Sequence, residues 1–126
     1  MPRPVHFEIH ASDPTGLVGF YADVFGWTIT HIPSLNYWTI DTGTGEGING
    51  GLMRRHGPAP AAGSPVNAFV CSLGIDDVDA SVARALVAGG TLALAKMTIP
   101  GVGYVAYVKD PDGNILGLHQ ADRAAK

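Results

Sequence analysis

One spacing occurs twice in this chain and limits its fold more than any other feature. Asp13 stands thirteen residues before Gly26, and Asp77 stands thirteen before Gly90. Each pair brackets apolar residues at helical intervals, with a carboxylate where a helix begins and a glycine where it ends. The first helix is expected at residues 14–25, with Pro14 at its first position and an apolar stripe of Leu17, Val18, Phe20, Tyr21, Val24 and Phe25. Phe20, Tyr21 and Phe25 are read as core. The second, capped by Asp76 or Asp77, runs through Val78, Val82, Ala85, Leu86 and Val87 until Gly89-Gly90 stops it.

The company of each helix also repeats. A strand precedes the first helix from Val5, and Trp27 to Pro33, Tyr37 to Thr42 and Ile48 to Arg55 follow as short β-prone stretches. Ala68 to Ile75 precedes the second; Thr91 to Ile99, Gly103 to Lys109 and Ile115 to Gln120 follow it. Asp110-Pro111-Asp112-Gly113-Asn114 is turn chemistry, with proline setting φ and glycine permitting a positive value. Residues 56–65 hold too much Pro and Gly for regular structure and read as a linker. Internal duplication is the simplest account. The expected class is α+β: two tandem βαβββ units, 4–55 and 66–120, in a single domain spanning 1–126. Each unit has one sheet face covered by its helix and one bare, so two units can curl their bare faces around a cup.

Size and charge narrow the function classes. A chain of 126 residues is one domain by length and can remove roughly two-thirds of its unfolded surface from water. The 17 glycines, about twice the average share, suit a turn-rich or curved-strand protein. With a net charge of −3 and basic residues clustered only at Arg54-Arg55-His56, nucleic acid and membrane are not expected partners. The lone cysteine, Cys71, excludes an intrachain disulfide, and alternation in its strand puts it on the helix-facing side as an inert buried thiol. No signal-peptide or spanning stretch opens the chain, so the cytoplasm is the expected compartment.

Alternation along Val5-His6-Phe7-Glu8-Ile9-His10-Ala11 puts four apolar residues on one face and His6, Glu8 and His10 on the other. Such a row is chemistry if it lines a cavity, and solvated surface if it does not.

The order of these signals resembles the vicinal oxygen chelate superfamily, which includes glyoxalase, bleomycin-resistance and extradiol dioxygenase proteins. The marks are Val-His-Phe-Glu-Ile, Asp13-Pro14, Phe20-Tyr21 with Phe25-Gly26-Trp27, Ile75-Asp76-Asp77-Val78-Asp79-Ala80, Gly89-Gly90 and the Asp110 to Asn114 turn. They cover nearly the whole chain and are specific to fold, not to reaction. The resemblance implies a small organic molecule as partner and a homodimer. In many members it also implies a divalent metal held by four side chains. His6 matches the first ligand position; the others fall on Val70, Gly117 and Gly50 or Gly51, which carry no ligand atom. A catalytic metal wants about three protein ligands, so the expected cofactor is none.

The candidate ligand-binding residues are therefore His6, Glu8, His10, Trp38, Tyr104 and His119, with Glu8 and His6 as candidate catalytic groups. The last strand sends Ile115, Gly117 and His119 to the face that the resemblance makes the cup. Tyr104 is favoured over Tyr107 for that face, and Trp38 over its neighbours because it aligns with Tyr104. Imidazole and carboxylate suit proton transfer near neutral pH, since burial raises a Glu pKa and a carboxylate neighbour raises that of His. The competing structural reading pairs Glu8 with one histidine simply to satisfy a polar patch. Gly43 to Gly51 lacks the lysine and helix of a phosphate cradle and reads as a hairpin on the cup's rim. No Gly-x-Ser-x-Gly elbow supports serine hydrolase chemistry. Two functions remain: a metal-free binding or resistance protein, or metal-independent enzyme; and, alternatively, a metal-dependent lyase or dioxygenase with a rearranged ligand set.

Overall fold

The computed structural model describes residues 1–126, whose contacts divide into unit 1, Met1–Ala59, and unit 2, Pro60–Lys126. Unit 1 runs β1 (Phe7–Ala11), α1 (Pro14–Phe25), β2 (Thr28–Ile32), a short 3-10 turn, β3 (Tyr37–Asp41) and β4 (Gly50–Arg54). Its sheet has the order β1-β4-β3-β2, with β1 parallel to β4 and the other pairs antiparallel. Pro14 starts α1, although the Asp13 side chain makes no capping bond, and Gly26 closes it at φ 70° by donating its N–H to the Ala22 carbonyl at 3.0 Å. The helix buries Leu17, Phe20, Tyr21 and Val24, and the sheet contributes Ala11, Trp38, Ile40 and Leu52 to the same core. Tyr21 stacks on Trp27 with ring centroids 5.3 Å apart.

Unit 2 repeats the pattern with β5 (Ser72–Gly74), α2 (Val78–Val87), β6 (Thr91–Ile99), β7 (Gly103–Lys109) and β8 (Ile115–Ala121), in sheet order β5-β8-β7-β6. The first and last strands are again the parallel pair. Asp77 is the cap of α2, accepting from the Ala80 N–H at 3.1 Å, while Gln120 Oε1 takes the Val78 N–H at 2.9 Å. Val78, Ala85, Ala106, Val108, Leu116 and Leu118 form the core. The turn before β8 is held by Asp110, which is only 3% exposed. Its Oδ1 accepts from the Asp112 and Asn114 N–H groups, and its Oδ2 from the Asn114 amide.

Two expectations for unit 2 are corrected. The strand expected from Ala68 begins only at Ser72 and pairs with Gly117 to His119 of β8, the Gly117 N–H donating to the Cys71 carbonyl at 2.9 Å. Cys71 is exposed, not buried. Its inward placement relied on alternation along a strand that does not reach it. No helix is long and apolar enough to cross a membrane.

The paired registers give the duplication a residue-level form. Glu8 stands opposite Gly51 in the β1–β4 pair, and Ser72 opposite Gly117 in the β5–β8 pair. Gly117 therefore corresponds to Gly51, and Ser72 to Glu8. Counting back two residues matches Val70 to His6.

Candidate functional site

Residues opposite one another on paired strands point to the same face. Ile9 pairs with Leu52, which pairs with Trp38, and this line lies on the buried side with α1. One residue along, His10 pairs with Met53, which pairs with Tyr37; Glu8 pairs with Gly51, which pairs with Thr39. The helix-free face of unit 1 thus carries His6, Glu8, His10, Tyr37, Thr39 and Met53.

On that face four side chains connect. His10 Nε2 donates to Glu8 Oε1 at 2.9 Å, the Tyr37 hydroxyl donates to Glu8 Oε2 at 3.2 Å, and His6 Nε2 lies 2.9 Å from the same hydroxyl. Glycine at position 51 makes this possible, since a Cβ there would overlap the Tyr37 hydroxyl and ring. The Glu8 and His10 side chains are 40% and 41% exposed, so a molecule from solvent can reach them.

The electrostatics run opposite to the expected direction for Glu8. Its carboxyl is held below the ordinary 4.5, first by the His10 hydrogen bond and then by that of Tyr37 and the charges of His10 and His6; partial burial opposes them. The Tyr37 hydroxyl is pushed above 10, by burial first and then by its bond to Glu8. A depressed carboxyl contributes stability above the unfolded-state value and loses it as pH falls through the folded one. Exposure keeps that contribution small. The Glu8 carboxyl resonance in a 13C NMR titration is expected to have its midpoint below 4.5 and to move upward in His10→Ala. A wild-type midpoint above 4.5 would contradict the hydrogen-bond assignment.

Of the expected site residues, His6, Glu8 and His10 come together. Trp38 does not join them: it lies in the core and stacks on His31, centroids 4.3 Å apart. Tyr104 is likewise on the other face. It pairs with Gln120, whose side chain holds the start of α2, and the Lys96 ammonium over its ring at 4.7 Å is bonded to Asp79 of α2. Tyr107, opposite Gly117, takes the helix-free face of unit 2 with Val105 and His119. Both aromatic assignments were displaced by one residue, which in a strand exchanges the faces. Tyr37, a neighbour over which Trp38 is favoured from the sequence, is the residue that joins the row; alternation separates Trp38 and Ile40 from Tyr37, Thr39 and Asp41 but does not say which set faces outward.

The metal set implied by the resemblance does not fit. At its last-strand positions Gly51 is covered by Tyr37, and a side chain on Gly117 would meet the Ser72 hydroxyl. No group of three or more His, Cys, Asp or Glu side chains lies together as a metal-binding set.

Comparison with known proteins adds the relatives. Residues 3–118 match the family model described as Glyoxalase/Bleomycin resistance protein/Dioxygenase superfamily. Among curated proteins, CFP32 of Mycobacterium bovis is 27% identical over 124 residues, covering 95% of this chain and 46% of that protein. The anthracycline biosynthesis protein DnrV of Streptomyces peucetius is 27% identical over 120 residues, covering 87% of this chain and 44% of that protein. This chain therefore spans less than half the length of these relatives. A glyoxalase/bleomycin resistance protein/dioxygenase family enzyme from Burkholderia phytofirmans superposes with TM-score 0.72 at 23% identity, over 93% of this chain and 97% of that one. The fosfomycin resistance protein FosX of Listeria monocytogenes superposes with TM-score 0.73 at 15% identity, over 97% and 95%. At those identities the likeness is one of fold.

Proposed function

We propose, for a chain that belongs to the Glyoxalase/Bleomycin resistance protein/Dioxygenase superfamily, recognition of a small organic molecule on the helix-free face of unit 1, by His6, Tyr37, Glu8 and His10 and without a divalent metal. The observation that carries this reading is the single carboxylate shared by Tyr37 and His10, with His6 joined through the tyrosine hydroxyl. Exposed ion pairs contribute about 0–1 kcal/mol, and ordering long side chains costs entropy of similar size. Fold stability alone gives little reason for four connected polar side chains on an open strand face. The register-equivalent places in unit 2, Val70, Ser72 and Gly74, hold none of these groups, so the row is not a requirement of the βαβββ unit. DnrV, named for anthracycline biosynthesis, supports a small organic compound as the class of guest. His119 remains a second candidate contact, on the helix-free face of unit 2.

The test is a thermal-shift screen of small organic compounds on wild type and Glu8→Gln. Without ligand the two are expected to melt within about 2 °C, the effect of well under 1 kcal/mol. A compound that stabilises the wild type by mass action should lose most of that shift in the variant. A large drop in melting temperature with unchanged ligand shifts would make Glu8 a structural pair member and sink the reading.

The metal-free part has its own measurement. Protein purified with neither chelator nor affinity-tag metal is expected to carry no stoichiometric Fe, Mn, Ni or Zn. Stoichiometric metal that disappears in His6→Ala would favour the rearranged ligand set instead. A homodimer belongs to the same reading: edge strand β6 leaves Leu92, Leu94, Met97 and Ile99 exposed, and sedimentation equilibrium should find a dimer whose dissociation is promoted by a charge at Met97.

A further inference from the structure

We infer that Nδ1 of His6 is the hydrogen-bond acceptor this site offers, and that the molecule held there meets it with a hydroxyl donor carried on an apolar body. The inference rests on the reading that the unit 1 row contacts a ligand, and it specifies which atom does so.

The protons available to Tyr37, Glu8 and His6 decide which atom donates at each contact. A tyrosine hydroxyl has one proton to give, while an ionised carboxylate has none. The Tyr37 contact with Glu8 Oε2, 3.2 Å, therefore uses the tyrosine proton. Its 2.9 Å contact with His6 Nε2 can then be a hydrogen bond only if Nε2 carries the proton and the hydroxyl oxygen accepts it. A neutral imidazole has a single N–H, and the bond made by one ring nitrogen decides the state of the other. His6 is thus held in the Nε2–H form with a bare lone pair at Nδ1, on an exposed side chain. Glu8 is a poorer partner for an incoming donor, because both of its oxygens already accept, Oε1 from His10 and Oε2 from Tyr37.

The surroundings describe the rest of the guest. The Tyr37 ring lies over Gly51, and Met53 stands opposite Tyr37 on the same face. Beside His6 the surface is the tyrosine ring, which suits an apolar body, and the Met53 thioether continues that apolar surface next to Tyr37, opposite His10. An anion would instead find no lysine or arginine among the four connected side chains.

Long-range 1H–15N correlation spectra of 15N-labelled protein test this at about pH 8.5, two units above the ordinary imidazole value. The probes are phenol and anisole, which differ by the hydroxyl proton. His6 is expected to show a protonated Nε2 and an unprotonated Nδ1. Phenol should shift the Nδ1 resonance, with anisole binding about tenfold more weakly, the effect of one lost hydrogen bond. In Tyr37→Phe the tautomer preference should weaken and the phenol-to-anisole ratio fall toward one. A protonated Nδ1 in the wild type, or a tautomer unchanged by Tyr37→Phe, would overturn the inference and leave the proposed function standing. Equal binding of the two probes, or none by either at His6, would overturn the ligand class. A screened compound that binds with no change at His6, Tyr37 or Glu8 would overturn the proposed function itself.

Discussion

Gly51→Ala is expected to dismantle the polar row of unit 1. The residue has no positive φ, so its backbone would accept alanine. The obstacle is the side chain of Tyr37, whose hydroxyl and ring occupy the space a Cβ would need. Overpacking of this kind costs about 1–3 kcal/mol, or several degrees of melting temperature at this size. With the ring displaced, Glu8 loses one of the two hydrogen bonds on its carboxylate, and His6 loses its partner. The Glu8 midpoint should therefore rise from its depressed position. A double-mutant cycle with Tyr37→Ala isolates the contact: once the ring is gone, Gly51→Ala should cost little. If alanine at 51 is equally destabilising with and without the ring, Tyr37 is not the reason for the glycine.

Asp110→Ala is expected to be the most destabilising of the single changes considered, at about 3 kcal/mol. The side chain is nearly fully buried and accepts three hydrogen bonds in the turn that leads into β8. Alanine would leave two backbone N–H groups and an amide without that acceptor, and each bond to a charged group contributes about 1.5–3 kcal/mol in favourable cases. The turn also sets where β8 begins, and β8 is the strand to which both β5 and β7 pair. Asp110→Asn keeps one side-chain oxygen for the backbone donors and should lose roughly half as much. Urea unfolding is the measurement, with the midpoint falling and the slope unchanged. An alanine variant within about 0.5 kcal/mol of wild type, the range of ordinary surface substitutions, would show that water replaces the carboxylate.

Both variants concern features that were unequally legible in the chain. The Asp110 to Asn114 segment announces a turn through residue chemistry alone, because aspartate, proline, glycine and asparagine each favour it for local reasons. The glycine at 51 announces nothing by itself. Its role depends on a tyrosine fourteen residues earlier, brought over it by strand pairing. Cys71 shows the same limit from another side: alternation predicts a side only where a strand exists, and β5 begins at Ser72, one residue beyond it.

The amino-acid order alone was enough for the two helices, the strand sequence around each, the duplication, and the membership of His6, Glu8 and His10 in one row. All of these follow from local periodicity and from caps and turns within a few residues. Which face α1 or α2 covers, and so whether Tyr37 or Trp38 and Tyr107 or Tyr104 stands on the open side, was decided only by tertiary structure. A strand's period of two defines two faces but does not label them. The label comes from register between strands distant in the chain, where a shift of one residue exchanges every side chain across the sheet.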